Sequence, residues 1–268
     1  MTSIRPSAVA GTFYPYLKQV LEDEVYDMLA AAKPAARSDA PKAIIVPHAG
    51  YIYSGPIAAA AYAGLSAARE TIRRVVLLGP VHRVAVRGLA LPGVDAFETP
   101  LGKISIDQEA LASISALSQV VVSAAAHEKE HSLEVQLPFL QTVLDDFKLV
   151  PLAVGDATTE EVAEVIDRLW GGAETLIVIS SDLSHFLPYR LAKTVDQDTV
   201  QNILDLRGSL THEQACGGTP LNGFMLAAKR HKLRPQLLDL RNSGDTAGEK
   251  DRVVGYAAFA FTEEKIDV

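Results

Sequence analysis

Cysteine is nearly absent. Cys216 is the single one in 268 residues, so no internal disulfide can form, and a reducing, cytoplasmic setting is expected. Basic charge is also scarce: 25 Lys and Arg stand against 33 Asp and Glu, a formal net charge of -8. That balance argues against a nucleic-acid partner, whose phosphates need a basic face. No apolar run reaches the roughly 20 residues that a membrane span requires, so no membrane contact is expected. The run from Ile57 to Leu65 is short and alanine-rich and reads as a buried helix. Residues 1–15 carry Arg5 but no long apolar stretch, so no signal peptide is expected there. There is no P-loop, no G-x-S-x-G elbow and no internal repeat. No linker is long enough to mark a boundary, and one domain over residues 1–268 is expected. Pro34 to Pro41 is the loosest and most polar stretch and reads as a surface loop.

What is present is a regular alternation. Apolar residues make up 48% of the chain, enough for a sizeable core. Short β-branched runs, at 43–47, 74–79, 149–154, 175–180, 237–240 and 253–261, read as strands, with shorter ones at 87–91 and 103–106. Helical patterns lie between them, at 54–68, 107–117, 132–144, 158–170, 190–206 and 220–231. Ser54 is expected to cap the first of these with Pro56 in its first turn. Pro138 should kink another unless it lies near that helix's start. Continuous apolar strands between helices predict an α/β fold, a central mostly parallel or mixed sheet covered on both faces.

Chemistry-bearing residues gather just past strand ends, where ligands bind in open α/β sheets. His48 follows the first strand directly. His82 comes three residues after the second, and His185 five residues after Ser180. Imidazole is the commonest transition-metal ligand and the usual acid/base near neutral pH. Three histidines in one kind of place outweigh the reading in which each only hydrogen-bonds a loop. In Asp182-Leu183-Ser184-His185 a carboxylate can orient the imidazole, or Asp182 can be a plain loop residue; both readings stand. Cys216 precedes Gly217-Gly218 and a helix. It reads either as a small buried hydrophobe or as a thiol whose pKa the helix start lowers.

A competing signal is His127-Glu128-Lys129-Glu130-His131, which matches the H-E-x-x-H helix of zinc hydrolases. Three alanines precede it, no apolar face runs through it, and no third ligand follows at the metzincin spacing. A charged loop and helix entry is the preferred reading, with Glu130 and His131 bordering a cleft. Tyr51, Tyr53 and Phe186 are further expected cleft residues. A zinc hydrolase stays the minor alternative.

Six segments carry a resemblance. They are Arg5-Pro6-Ser7-Ala8-Val9-Ala10-Gly11-Thr12-Phe13-Tyr14-Pro15, Pro47-His48-Ala49-Gly50-Tyr51-Ile52-Tyr53-Ser54-Gly55, Leu78-Gly79-Pro80-Val81-His82, Glu130-His131-Ser132-Leu133-Glu134, Ser180-Ser181-Asp182-Leu183-Ser184-His185 and Cys216-Gly217-Gly218. Together they resemble the Memo family, also called the B component of the AmmeMemoRadiSam system in prokaryotes. The resemblance runs from near residue 4 to Gly255-Tyr256-Ala257-Ala258.

The resemblance implies a fold similar to that of class III extradiol ring-cleaving dioxygenases, which hold iron(II) with two His and one Glu and use a further His as acid/base. By that similarity His48 and His82 are metal ligands, and His185, with Asp182 to orient it, is the acid/base. Cys216 stands where the Glu ligand would be. A thiolate is softer than a carboxylate and favours copper(I), zinc or thiolate-tolerant iron, so catechol cleavage is not carried over; the family resemblance puts iron or copper ahead of zinc. The resemblance also implies a small molecule or peptide as ligand, and radical-SAM system proteins as partners. Two function classes follow: a mononuclear-metal oxidoreductase, and a binding module that uses the same cleft without turnover.

Overall fold

The central strands form where the sequence is continuously apolar and β-branched. Ala43–Val46, Arg74–Pro80, Lys148–Val154 and Thr175–Ser180 are buried along nearly their whole length, so both faces of their sheet are covered. The computed structural model describes residues 2–32 and 40–263. The expected loop at Pro34 to Pro41 therefore lies outside the described residues, apart from its last two.

Across the larger sheet the strand order is His185–Leu187, Val253–Glu263, Ala43–Val46, Thr175–Ser180, Arg74–Pro80, Lys148–Val154, Leu89–Leu91 and Val120–Val122; Leu233–Asn242 pairs with Val253–Glu263 as well. The four central strands are mutually parallel, and antiparallel strands flank them. A three-stranded sheet of Ile4–Arg5, Ala96–Thr99 and Gly102–Ser105 stands apart. The result is a single α/β domain of mixed sheets flanked by helices. Parallel pairing aligns the carboxyl ends: Val46 is opposite Ser180, Leu78 opposite Ile179, and Pro80 opposite Val154. The loops bearing His48, His82 and Asp182 thus leave one edge of the sheet side by side.

Small residues let helices approach closely. A Cβ on Gly55 would stand 2.4 Å from Met28 Sδ, and one on Gly223 would stand 2.3 Å from Val162 Cβ. An alanine at Gly223 would overpack the helix Gly218–Arg230 against Thr159–Arg168, typically at a cost of about 1–3 kcal/mol. The Thr159–Arg168 helix has a capping box between Thr158 and Glu161, which satisfies two of its first N–H groups.

Two expected helix starts are shifted. The first helix spans Tyr51–Tyr62, with Gly50 as its cap and Pro56 in its interior. Its leading N–H, on Tyr51, donates to the Phe13 carbonyl at 2.8 Å. The amino-terminal segment thus does what the Ser54 side chain was expected to do, while Ser54 Oγ donates to the Ala49 carbonyl. The expected helix from Ser132 is instead a short turn, Glu134–Gln136, followed by Leu137–Val143 with Pro138 in its first turn, so no kink arises. The helix Lys18–Ala31 had no clear signal, because it buries only Leu21 and Val25 fully.

Candidate metal centre

His48 is buried and held on both sides. Its backbone N–H donates to Asp182 Oδ1 at 2.7 Å, and its Nδ1 lies 2.9 Å from Ser180 Oγ. Ser180 has one proton, and it donates that proton to the Ser132 carbonyl at 2.6 Å. The hydroxyl must therefore accept from His48 Nδ1, which leaves the lone pair on Nε2.

A single carboxylate fixes His82. Glu130 Oε2 accepts its backbone N–H at 2.6 Å and Glu130 Oε1 its ring Nδ1 at 2.8 Å. This is the carboxylate–histidine arrangement that orients metal-binding imidazoles, and it leaves Nε2 free. Burial pushes the Glu130 carboxyl up, but the bonds from His82 and from the Ser132 N–H outweigh it and hold the group at about 2. His131 stacks on His82 with centroids 4.7 Å apart and meets His48 edge-on at 5.4 Å. Its buried Nδ1 makes no hydrogen bond, and Glu130 Oε1 lies 3.3 Å from it.

Ligand atoms of His48, His82 and His131 all lie within 4.8 Å of one another. Burial chiefly, then the charges of the neighbouring imidazoles, push His48 well below its ordinary value; burial likewise holds His131 at about 4. Both rings are neutral at pH 7. Three converging imidazoles, two of them anchored through the other nitrogen, are a donor set that fits a transition-metal ion. Among the described residues this is the group that could hold one.

The expected residues divide around this set. Cys216, expected as a ligand beside His48 and His82, stands outside the mutual set, its Sγ 3.3 Å from His48 Nε2 and accepting the Asp182 N–H at 3.3 Å. Burial, and then the Asp182 charge, push its thiol up to about 12. The helix start two residues on does not lower it, because desolvation is larger. Asp182 does not bond the His185 ring. Its carboxylate holds the His48 backbone instead, and burial raises it to about 6. The His185 ring is oriented by the Leu183 carbonyl, 2.9 Å from Nδ1, which leaves Nε2 as the nitrogen available to a substrate.

Tyr51 is core rather than cleft: it is buried, and its hydroxyl donates to the Val135 carbonyl. Tyr53 is 38% exposed on the same helix, and Phe186 is exposed beside His185. His127 is buried in the short helix Ala124–Glu128, with Nε2 2.8 Å from the Ala90 carbonyl. That helix ends before His131, so the H-E-x-x-H face never forms. Missed by the sequence were Ser180 and Phe13, whose ring lies 4.6 Å from that of His131.

Beside the histidines opens a cavity of about 910 Å³. His82, His185 and Cys216 lie on its wall; Val81, Val86, Val154, Leu187 and Val195 make it largely apolar.

A sequence model described as Memo-like protein matches residues 5–260. The chain belongs to the Memo-like family. A MEMO1 family protein of Aquifex aeolicus is 37% identical over 271 residues, covering 96% of this chain and 99% of that one. One from Methanosarcina barkeri is 36% identical, covering 95% and 98%. One from Sulfolobus acidocaldarius is 34% identical, covering 96% and 99%. Among solved structures, an uncharacterized protein from Escherichia coli K12 aligns with TM-score 0.49 and 13% identity over 81% of this chain and 98% of that one. No helix among the described residues is long and apolar enough to cross a membrane.

Two solution properties follow for this Memo-like protein. First, the metal-free melting temperature is expected to fall between pH 6.5 and 4. His127 and His131 are held at about 4, against an ordinary 6.5, and His48 is also depressed. In that window the unfolded chain binds more protons, so acid favours unfolding. Asp182, raised from 3.8 to about 6, and Asp196 and Glu24, also raised by burial, work the other way, while Glu130, Glu161 and Glu174, held at about 2, add to the loss at the acid end. A melting temperature that rises on acidification would contradict these assignments. Second, metal uptake at pH 7 is expected to release no proton from Cys216, since the three-histidine set is complete without it. Calorimetry in two buffers of different ionisation enthalpy checks this. One thiol proton per metal, absent in Cys216→Ala, would put the thiolate in the shell.

Proposed function

We propose that this Memo-like protein is a mononuclear-metal oxidoreductase acting on a small, largely apolar molecule. The observation that carries the reading is that the three-histidine cluster reaches a largely apolar cavity through His82, with His185 on the same wall. His48, His82 and His131 would hold the metal through their free nitrogens. Imidazole suits zinc, copper and iron alike; the choice of iron or copper rests on the Memo-family resemblance. When bound, such an ion would supply Lewis-acid and one-electron chemistry.

The chain's own residues supply the remainder. The valine and leucine wall accepts the substrate's apolar body and displaces water, which strengthens polar interactions at the histidine end. His185 lies on the cavity wall with Nδ1 at the Leu183 carbonyl, so Nε2 would be the nitrogen that takes a proton from a substrate hydroxyl or thiol. The resulting imidazolium can return that proton to the product. Asp182 keeps the His48 loop in register.

The test is oxygen uptake by protein loaded separately with iron(II), copper(I) and zinc(II), against a panel of small phenols, alcohols and thiols. Uptake with iron or copper, absent with zinc, is expected. Saturable binding of panel members with no uptake under any metal would overturn the reading in favour of a binding module.

A further inference from the structure

Arg5 is almost fully buried, and its guanidinium reaches one stretch of chain. Nε donates to the His127 carbonyl at 2.7 Å, Nη2 to the Glu130 carbonyl at 2.7 Å, and Nη1 to Glu134 Oε2 at 2.6 Å. Glu134 is buried in turn. It accepts the N–H groups of Ala8 and Val9 and the Tyr14 hydroxyl, the last at 2.6 Å. The turn from His127 to Glu134 is therefore stapled at its start, middle and end by residues 5–14. Between the staples sit Glu130, which fixes the His82 ring, and His131, whose ring lies against Phe13. The same segment meets the third histidine loop, because the Phe13 carbonyl accepts the Tyr51 N–H three residues past His48.

A buried ion pair is weak evidence of stabilisation, since an apolar pair of similar volume often serves as well. What a planar guanidinium adds is geometry: several donors in a fixed fork. Here all three nitrogens end on the turn that shapes the metal centre. We propose that Arg5 is a positioning residue for that centre, acting through the Glu130 carbonyl and Glu134 to set Glu130 and His131, with Phe13 as the wall behind His131. The amino-terminal segment is then part of the site rather than a surface strap. The proposal rests on the metal-centre reading.

The test uses cobalt(II) as the probe, with affinity read by chelator competition and the shell by its visible spectrum, alongside melting temperatures. Arg5→Met keeps volume and loses every donor; Arg5→Lys keeps the charge but loses the fork. Both are expected to bind cobalt about 10- to 100-fold more weakly, the usual effect of losing an outer-shell partner, with an altered spectrum. In the metal-free protein, histidine-selective NMR should show the His82 and His131 rings displaced and His231, past the far end of helix Gly218–Arg230, unmoved. Should Arg5→Met fail to fold, Phe13→Leu leaves the Arg5 network intact and is expected to weaken cobalt binding and move the His131 signals. Variants that melt lower yet bind cobalt with wild-type affinity and spectrum would overturn the positioning role alone. A wild type that binds no cobalt would overturn the metal-centre reading and this role with it.

Discussion

His185→Ala is expected to retain the metal and lose turnover by about 10²–10⁴-fold, the usual contribution of a general acid/base. His185 is outside the set of three converging histidines and is held by the Leu183 carbonyl rather than by a residue of that set. Its loss should therefore leave the metal's ligands and their partners in place. His48→Ala removes a ligand whose backbone and ring are both anchored, so metal and turnover should vanish together. Metal analysis beside rate measurement separates the two. If His185→Ala empties the site as thoroughly as His48→Ala, His185 is a ligand, and the acid/base must be sought elsewhere on the cavity wall.

Glu130→Ala is expected to be the most damaging single change outside the three histidines. The carboxylate accepts four hydrogen bonds: the His82 N–H and ring, and the N–H groups of His131 and Ser132. Removing it leaves those donors without their partner, at about 1–3 kcal/mol for each buried one that finds no substitute. The protein should melt markedly lower, and His82 should lose its fixed tautomer. Glu130→Gln keeps the shape but turns an amide NH₂ toward donors. It should bind metal about 10- to 100-fold more weakly. Competition titrations on both variants check this. Wild-type affinity in Glu130→Gln would mean that the carboxylate does not tune the His82 ligand.

Much of this was legible in the sequence, for a physical reason. The central strands are buried on both faces, so they read as unbroken apolar runs, and whatever follows each run must emerge at the ligand-binding edge. That places His48, His82 and His185 without any structure. His131 was read only as a cleft residue because no strand leads to it. It sits in a charged turn whose position depends on Arg5, more than a hundred residues away. The adjacency of Glu130 and His131 was the available signal, but the overlapping H-E-x-x-H spacing drew attention to a helix that does not form. Tyr51 and Asp182 show a different limit. Both were placed correctly along the chain, yet side-chain direction decides their roles: Tyr51 turns into the core and Asp182 toward the His48 backbone. Cys216 was placed beside the site, but whether burial or the helix start governs its thiol is a question of desolvation, which a sequence does not display.

The most direct test of the central claim is the metal content of protein purified without oxygen, wild type against the His48→Ala/His82→Ala double variant. One transition-metal ion per wild-type chain and none in the double variant is the expected result, with both chains folded by circular dichroism. Equal metal content in the two, or a wild type that takes up no metal when supplied with iron(II), copper(I) or zinc(II), would contradict it.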